Sequence, residues 1–175
     1  MTPESASAWQ RAASYAARRH ESQRRKDGQT PYVAHPFRVA MTLLLVFEID
    51  DPVATCAALL HDVLEDTPAD YDELYEQFGS DVAAAVAALT KDMRLPEPER
   101  EAEYDRQIAE AGWRVKAVKL ADVYDNMCDT ESAPHLAAKA IDKARRVIDL
   151  VADEPLLEEA VQAVRDLIAG RSVSE

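Results

Sequence analysis

Apolar residues recur three and four positions apart along most of this chain, which is the period of an amphipathic α-helix. Near the N-terminus the repeat places Trp9, Ala12, Ala13 and Ala16 on one side. Pro and Gly interrupt the repeat at intervals, and they mark turns between helices. The pattern predicts helices over 5–21, around 34–47 with His35 in the first turn, from Asp51-Pro52 towards Thr67, and over 70–78, 81–91, 99–111, 115–127, 133–152 and 154–170.

The chain has 175 residues, which is enough for one domain with its own hydrophobic core. Only four glycines and few aromatic residues occur, and alanine is abundant, so the composition favours helices over sheets. We therefore expect an all-α fold of about eight helices in a single domain spanning 1–175, with its core at about 5–170. Residues 92–100 contain Pro96 and Pro98 and should form a loop, which is either a lid over a site or a surface connector.

The formal net charge of −13 bears on the kind of ligand that the protein can bind. A strongly acidic chain lacks the basic footprint that binding to a nucleic-acid backbone requires. Its basic residues are concentrated after the first helix, where Arg18, Arg19, Arg24, Arg25 and Lys26 follow closely. Such a cluster either ends a helix in solvent or forms a local patch for an anionic small molecule.

Cysteine content and hydropathy point to a cytoplasmic protein without a membrane anchor. Cys56 and Cys128 have neither a metal-binding nor a redox spacing, which suits a reducing compartment. No apolar run approaches twenty residues, and no signal-peptide pattern occurs at the N-terminus. The sequence gives no indication of the oligomeric state.

The stretch 57–67 combines an apolar run with two pairs of polar residues, His61-Asp62 and Glu65-Asp66. On a helix, His61 would lie beside Glu65 and Asp62 beside Asp66. Carboxylates on an apolar helix are costly to bury unless they bind a metal or a cation. The alternative is an ordinary helix end with its last turn in solvent, and this stretch alone does not decide between the two.

A metal held by imidazole and carboxylate needs about four protein ligands, and one helix offers only two of them. Two further candidates lie elsewhere: His35 in the segment 31–36, and Asp122 in the segment 119–126. A lone His at a helix start more often caps or packs, and Asp122 could simply pair with Lys119 one turn earlier.

Taken together, these sequence motifs resemble a known protein family. The arrangement of His35, His61-Asp62 and Asp122 is similar to that of the HD superfamily of metal-dependent phosphohydrolases. The flanking residues resemble the hydrolase domain of RelA/SpoT proteins, and at this length the chain looks like a stand-alone small alarmone hydrolase of the Mesh type. The resemblance rests on the following motifs: Arg24-Arg25-Lys26, Thr30-Pro31-Tyr32, His35-Pro36, His61-Asp62-x-x-Glu65-Asp66 and Lys119-Leu120-Ala121-Asp122 with Asn126.

The resemblance implies an HD-type fold around a metal site and a role in the stringent response. Its metal ligands would be His35, His61, Asp62 and Asp122. The substrate would be contacted by a larger set, namely Arg24, Arg25, Lys26, Tyr32 and Asn126. The implied reaction is hydrolysis of ppGpp or pppGpp at the 3′-pyrophosphate, which yields GDP or GTP and pyrophosphate.

The chemistry follows from that ligand set. Two imidazoles and two carboxylates suit a hard or borderline divalent ion such as Mn²⁺, with Fe²⁺, Co²⁺, Mg²⁺ or Zn²⁺ as alternatives. Such an ion lowers the pKa of a water and so makes a nucleophile for phosphorus available near neutral pH. Glu65 is then the expected partner of the attacking water, and Asp66 supports it.

Two positions depart from the family pattern. Relatives often carry Arg or Lys where this chain has Val123, and His or Tyr where it has Asp125. Losing a cation and gaining an anion beside the site should weaken the binding of a highly charged nucleotide, unless Arg24 or another group compensates. The alternatives are therefore a related phosphohydrolase acting on another phosphorylated nucleotide such as NADPH, or a nucleotide-binding module without turnover.

Overall fold

The computed structural model describes residues 3–131 and 133–172, and within them the chain is all-α, as predicted. No β-strand forms in this part of the chain beyond an isolated antiparallel bridge between Arg24 and Pro31. The α-helices, numbered α1 to α10 in chain order, are Pro3–Arg19, Ala34–Leu45, Pro52–Leu60, Val63–Asp66, Tyr71–Phe78, Ser80–Ala88, Glu97–Glu110, Trp113–Asp129, Ala137–Leu150 and Glu158–Ser172. The ends of the predicted domain, residues 1 and 175, lie outside the described residues.

Helix α8 lies at the centre of the fold. It packs against α2, α3, α9 and α10, and residues on all of its sides are buried. Its polar residues Lys119, Asp122 and Asp125 are each at most 6% exposed, so they must find partners inside the protein. Helices α2 and α3 pack against each other and against α8, and the site forms where these three helices meet.

The helix predicted to run from Asp51-Pro52 towards Thr67 is broken at the His-Asp pair. Helix α3 ends at Leu60, a turn contains His61 and Asp62, and the four-residue α4 follows. The Nδ1 atom of His61 lies 2.7 Å from the carbonyl oxygen of Ala58, three residues earlier, so this side chain takes a backbone acceptor at the end of α3. The start was predicted correctly, because Asp51 caps α3 through the N–H of Ala54 at 2.8 Å and Pro52 occupies the first turn.

Helix α6 ends at Ala88, three residues before the predicted end at Lys91. The amide of Gln107 on α7 donates to the carbonyl oxygens of Ala88 at 2.7 Å and Thr90 at 3.2 Å. These bonds satisfy the carbonyls at the helix end. Helix α7 begins at Glu97, so the predicted loop 92–100 is shorter than expected.

Candidate active site

All eleven residues predicted to form the site line one cavity of about 250 Å³. Helix α2 contributes His35, the turn after α3 contributes His61 and Asp62, and α8 contributes Asp122 and Asn126. The remaining predicted residues come from α4 and from the segment between α1 and α2: Glu65, Asp66, Arg24, Arg25, Lys26 and Tyr32.

The side-chain atoms of His35, His61 and Asp62 approach closely enough to share a metal ion. One donor atom from each lies within 4.8 Å of the other two. Asp62 Oδ2 lies 3.1 Å from His61 Nε2 and 3.7 Å from His35 Nε2. Asp122 lies beside this group, with Oδ1 at 3.3 Å from His35 Nε2, although it is not among the three residues whose donor atoms all lie within 4.8 Å of one another. The four predicted ligands therefore lie close together, contributed by α2, the turn after α3 and α8.

Both histidines are held by their Nδ1 atoms. His61 Nδ1 lies 2.7 Å from the Ala58 carbonyl, and His35 Nδ1 lies 2.7 Å from Asp125 Oδ2. Carbonyl and carboxylate oxygens only accept, so each Nδ1 is the donor and each Nε2 faces the centre. His61 Nε2 is buried and forms no hydrogen bond within the described part of the chain. A buried nitrogen in that state, aimed at two carboxylates, fits a divalent metal ion.

The buried charges of the site offset one another. Burial alone would lower the pKa of His61, but the carboxylates of Asp62 and Asp122 outweigh it and raise that pKa to about 9. Burial would raise the pKa of Asp62, but His61 and His35 lower it below its ordinary value. For Asp122 the effect of burial is outweighed by Lys119 and Lys143, so its pKa falls well below the usual range.

Tyr32 contacts the site through its hydroxyl. That group donates to Asp62 Oδ2 at 2.7 Å and to Asp66 Oδ2 at 3.0 Å. Burial and the neighbouring carboxylates raise the pKa of Tyr32, so the hydroxyl keeps its proton and remains a donor. Tyr32 thus links a predicted metal ligand to a predicted catalytic acid, which the sequence did not indicate.

Glu65 is fixed by the segment after α6. Its Oε2 accepts from the backbone N–H of Lys91 at 3.0 Å. Burial and Asp62 raise the pKa of Asp66, while Tyr32 opposes them. The two acids of the second pair therefore have different environments on the same side of the cavity.

Arg25 and Asn126 are engaged with other side chains. Arg25 donates from Nε and Nη2 to Asp129 Oδ2 at 3.0 and 2.8 Å, and from Nη2 to Asn126 Oδ1 at 3.1 Å. The amide of Asn126 donates to Asp122, through its backbone oxygen at 2.9 Å and also its carboxylate. Arg24 and Lys26 are exposed at the cavity rim.

The cavity also contains residues that the sequence analysis did not assign to the site, namely Leu89, Lys91, Tyr104, Lys119 and Lys143. Lys119 Nζ lies 2.8 Å from Asp122 Oδ2, and Lys143 Nζ lies 3.9 Å from the same atom. The charge of nearby Lys119, with burial, lowers the pKa of Lys143 to about 8, although Asp122 opposes this. The sequence analysis gave a pair of Lys119 with Asp122 as the alternative to a metal ligand at Asp122, and the two side chains form that pair. Lys143 comes from α9, 21 residues after Asp122.

The sequence of this chain is similar to a known protein family and to named proteins of two animals. A family model described as HD domain matches residues 12–150. A Drosophila melanogaster protein named guanosine-3′,5′-bis(diphosphate) 3′-pyrophosphohydrolase MESH1 is 42% identical over 118 residues, which cover 67% of this chain and 66% of that protein. The human protein of that name is 44% identical over 119 residues, again covering 67% and 66%. The aligned region thus spans just under two thirds of these relatives.

A solved structure is also similar. It is described as a metazoan ortholog of SpoT that hydrolyses ppGpp and plays a role in starvation responses. It superposes with a TM-score of 0.84 at 31% identity, and the match covers 95% of this chain and 96% of that one. The similarity therefore extends over nearly the whole fold.

Proposed function

This chain belongs to the HD domain family, and from that premise we propose that it hydrolyses ppGpp or pppGpp at the 3′-pyrophosphate to give GDP or GTP and pyrophosphate. The observation that carries the proposal is the convergence of the predicted ligands, the acidic pair and the basic residues on one cavity. Relatives named for this activity, at 42 and 44% identity, support it.

The metal would be held by His35 Nε2, His61 Nε2, Asp62 and Asp122. Nitrogen and oxygen donors without a thiolate favour Mn²⁺, and Fe²⁺, Co²⁺, Mg²⁺ and Zn²⁺ are alternatives. When bound, such an ion supplies Lewis-acid polarisation and lowers the pKa of a water. Asp122→Ala should remove the metal, which metal analysis of the folded protein measures, and retention of stoichiometric metal would exclude Asp122 as a ligand.

Glu65 is the proposed general base. The N–H of Lys91 fixes one of its oxygens, which limits the orientations of the carboxylate beside the cavity. Glu65 would take a proton from the attacking water as its oxygen bonds to phosphorus and the bond from phosphorus to the 3′ oxygen breaks. The proton held by Glu65 would then pass to the leaving 3′ oxygen, which becomes the 3′ hydroxyl of GDP or GTP. Asp66, held by Tyr32, would support this proton transfer.

The substrate phosphates would be met by cations on two sides of the cavity. Arg24, Arg25 and Lys26 lie on one side, and Lys119 and Lys143 lie beside Asp122. Arg25 uses Nε and Nη2 for its protein contacts, and we propose that it contacts the nucleotide through Nη1. Tyr32 and Asn126 would contact the nucleotide through their side-chain oxygens, which can each accept a further hydrogen bond. Val123 is 1% exposed in the core, and Lys143 from α9 joins Lys119 of α8 beside Asp122, which offsets the cation that position 123 lacks.

Lys143→Gln tests that compensation. Removing one charge-assisted contact to a phosphate should cost about 1.5–3 kcal/mol, or roughly ten- to a hundredfold in kcat/KM for ppGpp. Steady-state kinetics with ppGpp measure it, and Lys139→Gln, on the same helix but away from the cavity lining, is the matched control. An unchanged kcat/KM would remove Lys143 from the substrate site.

The test of the proposed function is turnover of ppGpp with added Mn²⁺, with NADPH and GTP assayed alongside. We expect GDP and pyrophosphate from ppGpp, and loss of the reaction with a chelator. Phosphate release from NADPH in place of ppGpp turnover would assign the related phosphohydrolase activity. Binding of ppGpp without turnover of any of the three would assign a nucleotide-binding module.

We also propose that residues 1–175 form one domain that acts in the cytoplasm on a small nucleotide and not on nucleic acid. One hydrophobic cluster that includes residues from Ala12 to Ile168 supports the single domain, and unpaired Cys56 and Cys128 fit a reducing compartment. None of the described helices combines the length and apolar character needed to cross a membrane. Limited proteolysis should yield no stable fragment shorter than the core, and fractionation of cells tests the compartment.

A further inference from the structure

Asp125, which the sequence suggested would repel a nucleotide, is almost completely buried and is held between the imidazole of His35 and the guanidinium of Arg38. It is 3% exposed. Its Oδ2 lies 2.7 Å from His35 Nδ1, and Arg38 on α2 contacts both of its oxygens, Nε to Oδ1 at 2.6 Å and Nη2 to Oδ2 at 3.0 Å. A carboxylate held by a two-point arginine contact does not present free negative charge to the cavity.

The bond from His35 to Asp125 determines how the imidazole can act. With Nδ1–H donated to the carboxylate, Nε2 is left to face Asp62 and Asp122 at 3.7 and 3.3 Å. The other ring of the site is held differently, because His61 donates to a backbone carbonyl. A carboxylate is the stronger acceptor and makes the imidazole a better electron donor at its opposite nitrogen.

We propose that Asp125 is a positioning residue that orients His35 for metal binding in this chain, and that Arg38 holds Asp125 in place for this task. The inference rests on the proposed role of His35 as a metal ligand. It changes the meaning of the departure from the family pattern, in which His or Tyr often stands at this position. The acid strengthens a ligand of the metal and does not weaken the nucleotide site.

The contacts of Arg38 extend this arrangement along one face of α8. Its Nη2 also donates to Asp129 Oδ1 at 3.0 Å, and Asp129 Oδ2 accepts from Arg25. Arg25 in turn contacts Asn126, which donates to Asp122. A continuous set of polar contacts thus joins His35 to Asp122, another of the predicted ligands. Residues 122, 125, 126 and 129 share a face because they are three and four apart.

The test measures two quantities for each variant: the affinity for Mn²⁺ and the free energy of unfolding without metal. Isothermal titration of folded Asp125→Ala should show Mn²⁺ binding weakened by about 10–100-fold, which is typical for loss of a residue that orients a metal ligand. Asp125→Asn has nearly the same shape and keeps an acceptor oxygen, so its loss should be smaller. Asp149→Asn is the control: it makes the same chemical change at an exposed position of α9 away from the cavity lining, and should leave the Mn²⁺ affinity unchanged.

A spectroscopic measurement separates positioning from a stabilising ion pair. With Co²⁺ as probe, the visible absorption bands should change in Asp125→Asn and stay unchanged in Asp149→Asn, because only the first substitution alters a residue that contacts His35. Urea unfolding without metal reports stability separately. If Asp125→Ala does not fold, Asp125→Asn decides the question.

Two outcomes against the proposal are distinguishable. If folded Asp125 variants bind Mn²⁺ and Co²⁺ as the unsubstituted protein does, while His35→Ala abolishes binding, this inference is wrong and the proposed metal site stands. If His35→Ala binds metal normally, His35 is not a ligand, and both the proposed site and this inference are wrong.

Discussion

At the scale of single residues, the motifs identified the groups that meet in the cavity but not their partners. His35, His61, Asp62 and Asp122 were predicted from the family resemblance, and their side chains lie close together in the structure. The partner of Asp125 could not be predicted, because Arg38, which offsets its charge, lies 87 residues earlier in the chain. A contact over that separation leaves no local pattern. The position of Lys143 beside Asp122 depends in the same way on the packing of α9 on α8.

Glu65→Gln tests the proposed base. The amide retains the size of the side chain and an oxygen that can accept from Lys91 N–H, but it cannot take a proton. We expect kcat for ppGpp to fall by about 10²–10⁴-fold, the usual contribution of a general base. Bound Mn²⁺ and the dissociation constant of ppGpp should be unchanged, and Glu76→Gln on the exposed face of α5 is the control. A Glu65→Gln protein with the unsubstituted rate would exclude Glu65 as the base.

At the scale of elements, the apolar periodicity predicted the helices and their order, and their ends differ where a distant side chain supplies a bond. The N-cap of α3 at Asp51 could be predicted, because cap and first-turn proline are adjacent in sequence. The break at His61 and the end of α6 at Ala88 could not, since the first depends on a side chain turning to Ala58 and the second on Gln107 from α7. The break matters for function because it lies at the two proposed ligands.

Asp51 joins two elements and should contribute to stability in a pH-dependent way. It caps α3 and accepts from Arg114 of α8 through both oxygens at 2.8 Å. Burial would raise the pKa of Asp51, but Arg114 and the Ala54 N–H outweigh it and lower that pKa. Asp51→Ala should reduce the free energy of unfolding by about 1–2 kcal/mol near pH 7, from the lost cap and a partly exposed ion pair.

The sign of the pH effect follows from the lowered pKa. The stability that the charged Asp51 contributes is fully present above its unfolded-state pKa, about 3.9, and is lost as the pH falls through the lower folded-state pKa. Urea unfolding of the unsubstituted protein and of Asp51→Asn should therefore differ at pH 7, and the difference should shrink below about pH 4. A difference that grows on acidification would contradict the lowered pKa.

At the scale of the whole molecule, the net charge of −13 coexists with a cavity that gathers cations: Arg24, Arg25, Lys26, Lys91, Lys119 and Lys143. The sequence offered a local patch for an anionic small molecule as one of two interpretations of the basic cluster around the end of α1, but that cluster is only part of the cations that line the cavity. The other cations of the cavity lining come from three further segments of the chain: Lys91, Lys119 and Lys143. Folding therefore brings them together with the basic residues after α1 into one cationic lining.

This distribution predicts an unusual dependence on salt. Raising the ionic strength from about 0.01 to 0.1 M shortens the screening length from about 30 to about 10 Å. That change screens the distant acidic surface more than the contacts inside the cavity, so the KM for ppGpp should fall or stay level over this range. Steady-state kinetics in NaCl at fixed Mn²⁺ measure it. A steady rise of KM over the same range would mean that attraction extends well beyond the cavity.

The most direct test of the central claim is hydrolysis of ppGpp in water enriched in ¹⁸O, with Mn²⁺ present and both products analysed by mass spectrometry. If water attacks the phosphorus bonded to the 3′ oxygen, pyrophosphate carries one ¹⁸O and GDP carries none, and a chelator abolishes both products. Label in GDP, release of orthophosphate in place of pyrophosphate, or no turnover by the folded, metal-loaded protein would contradict the account.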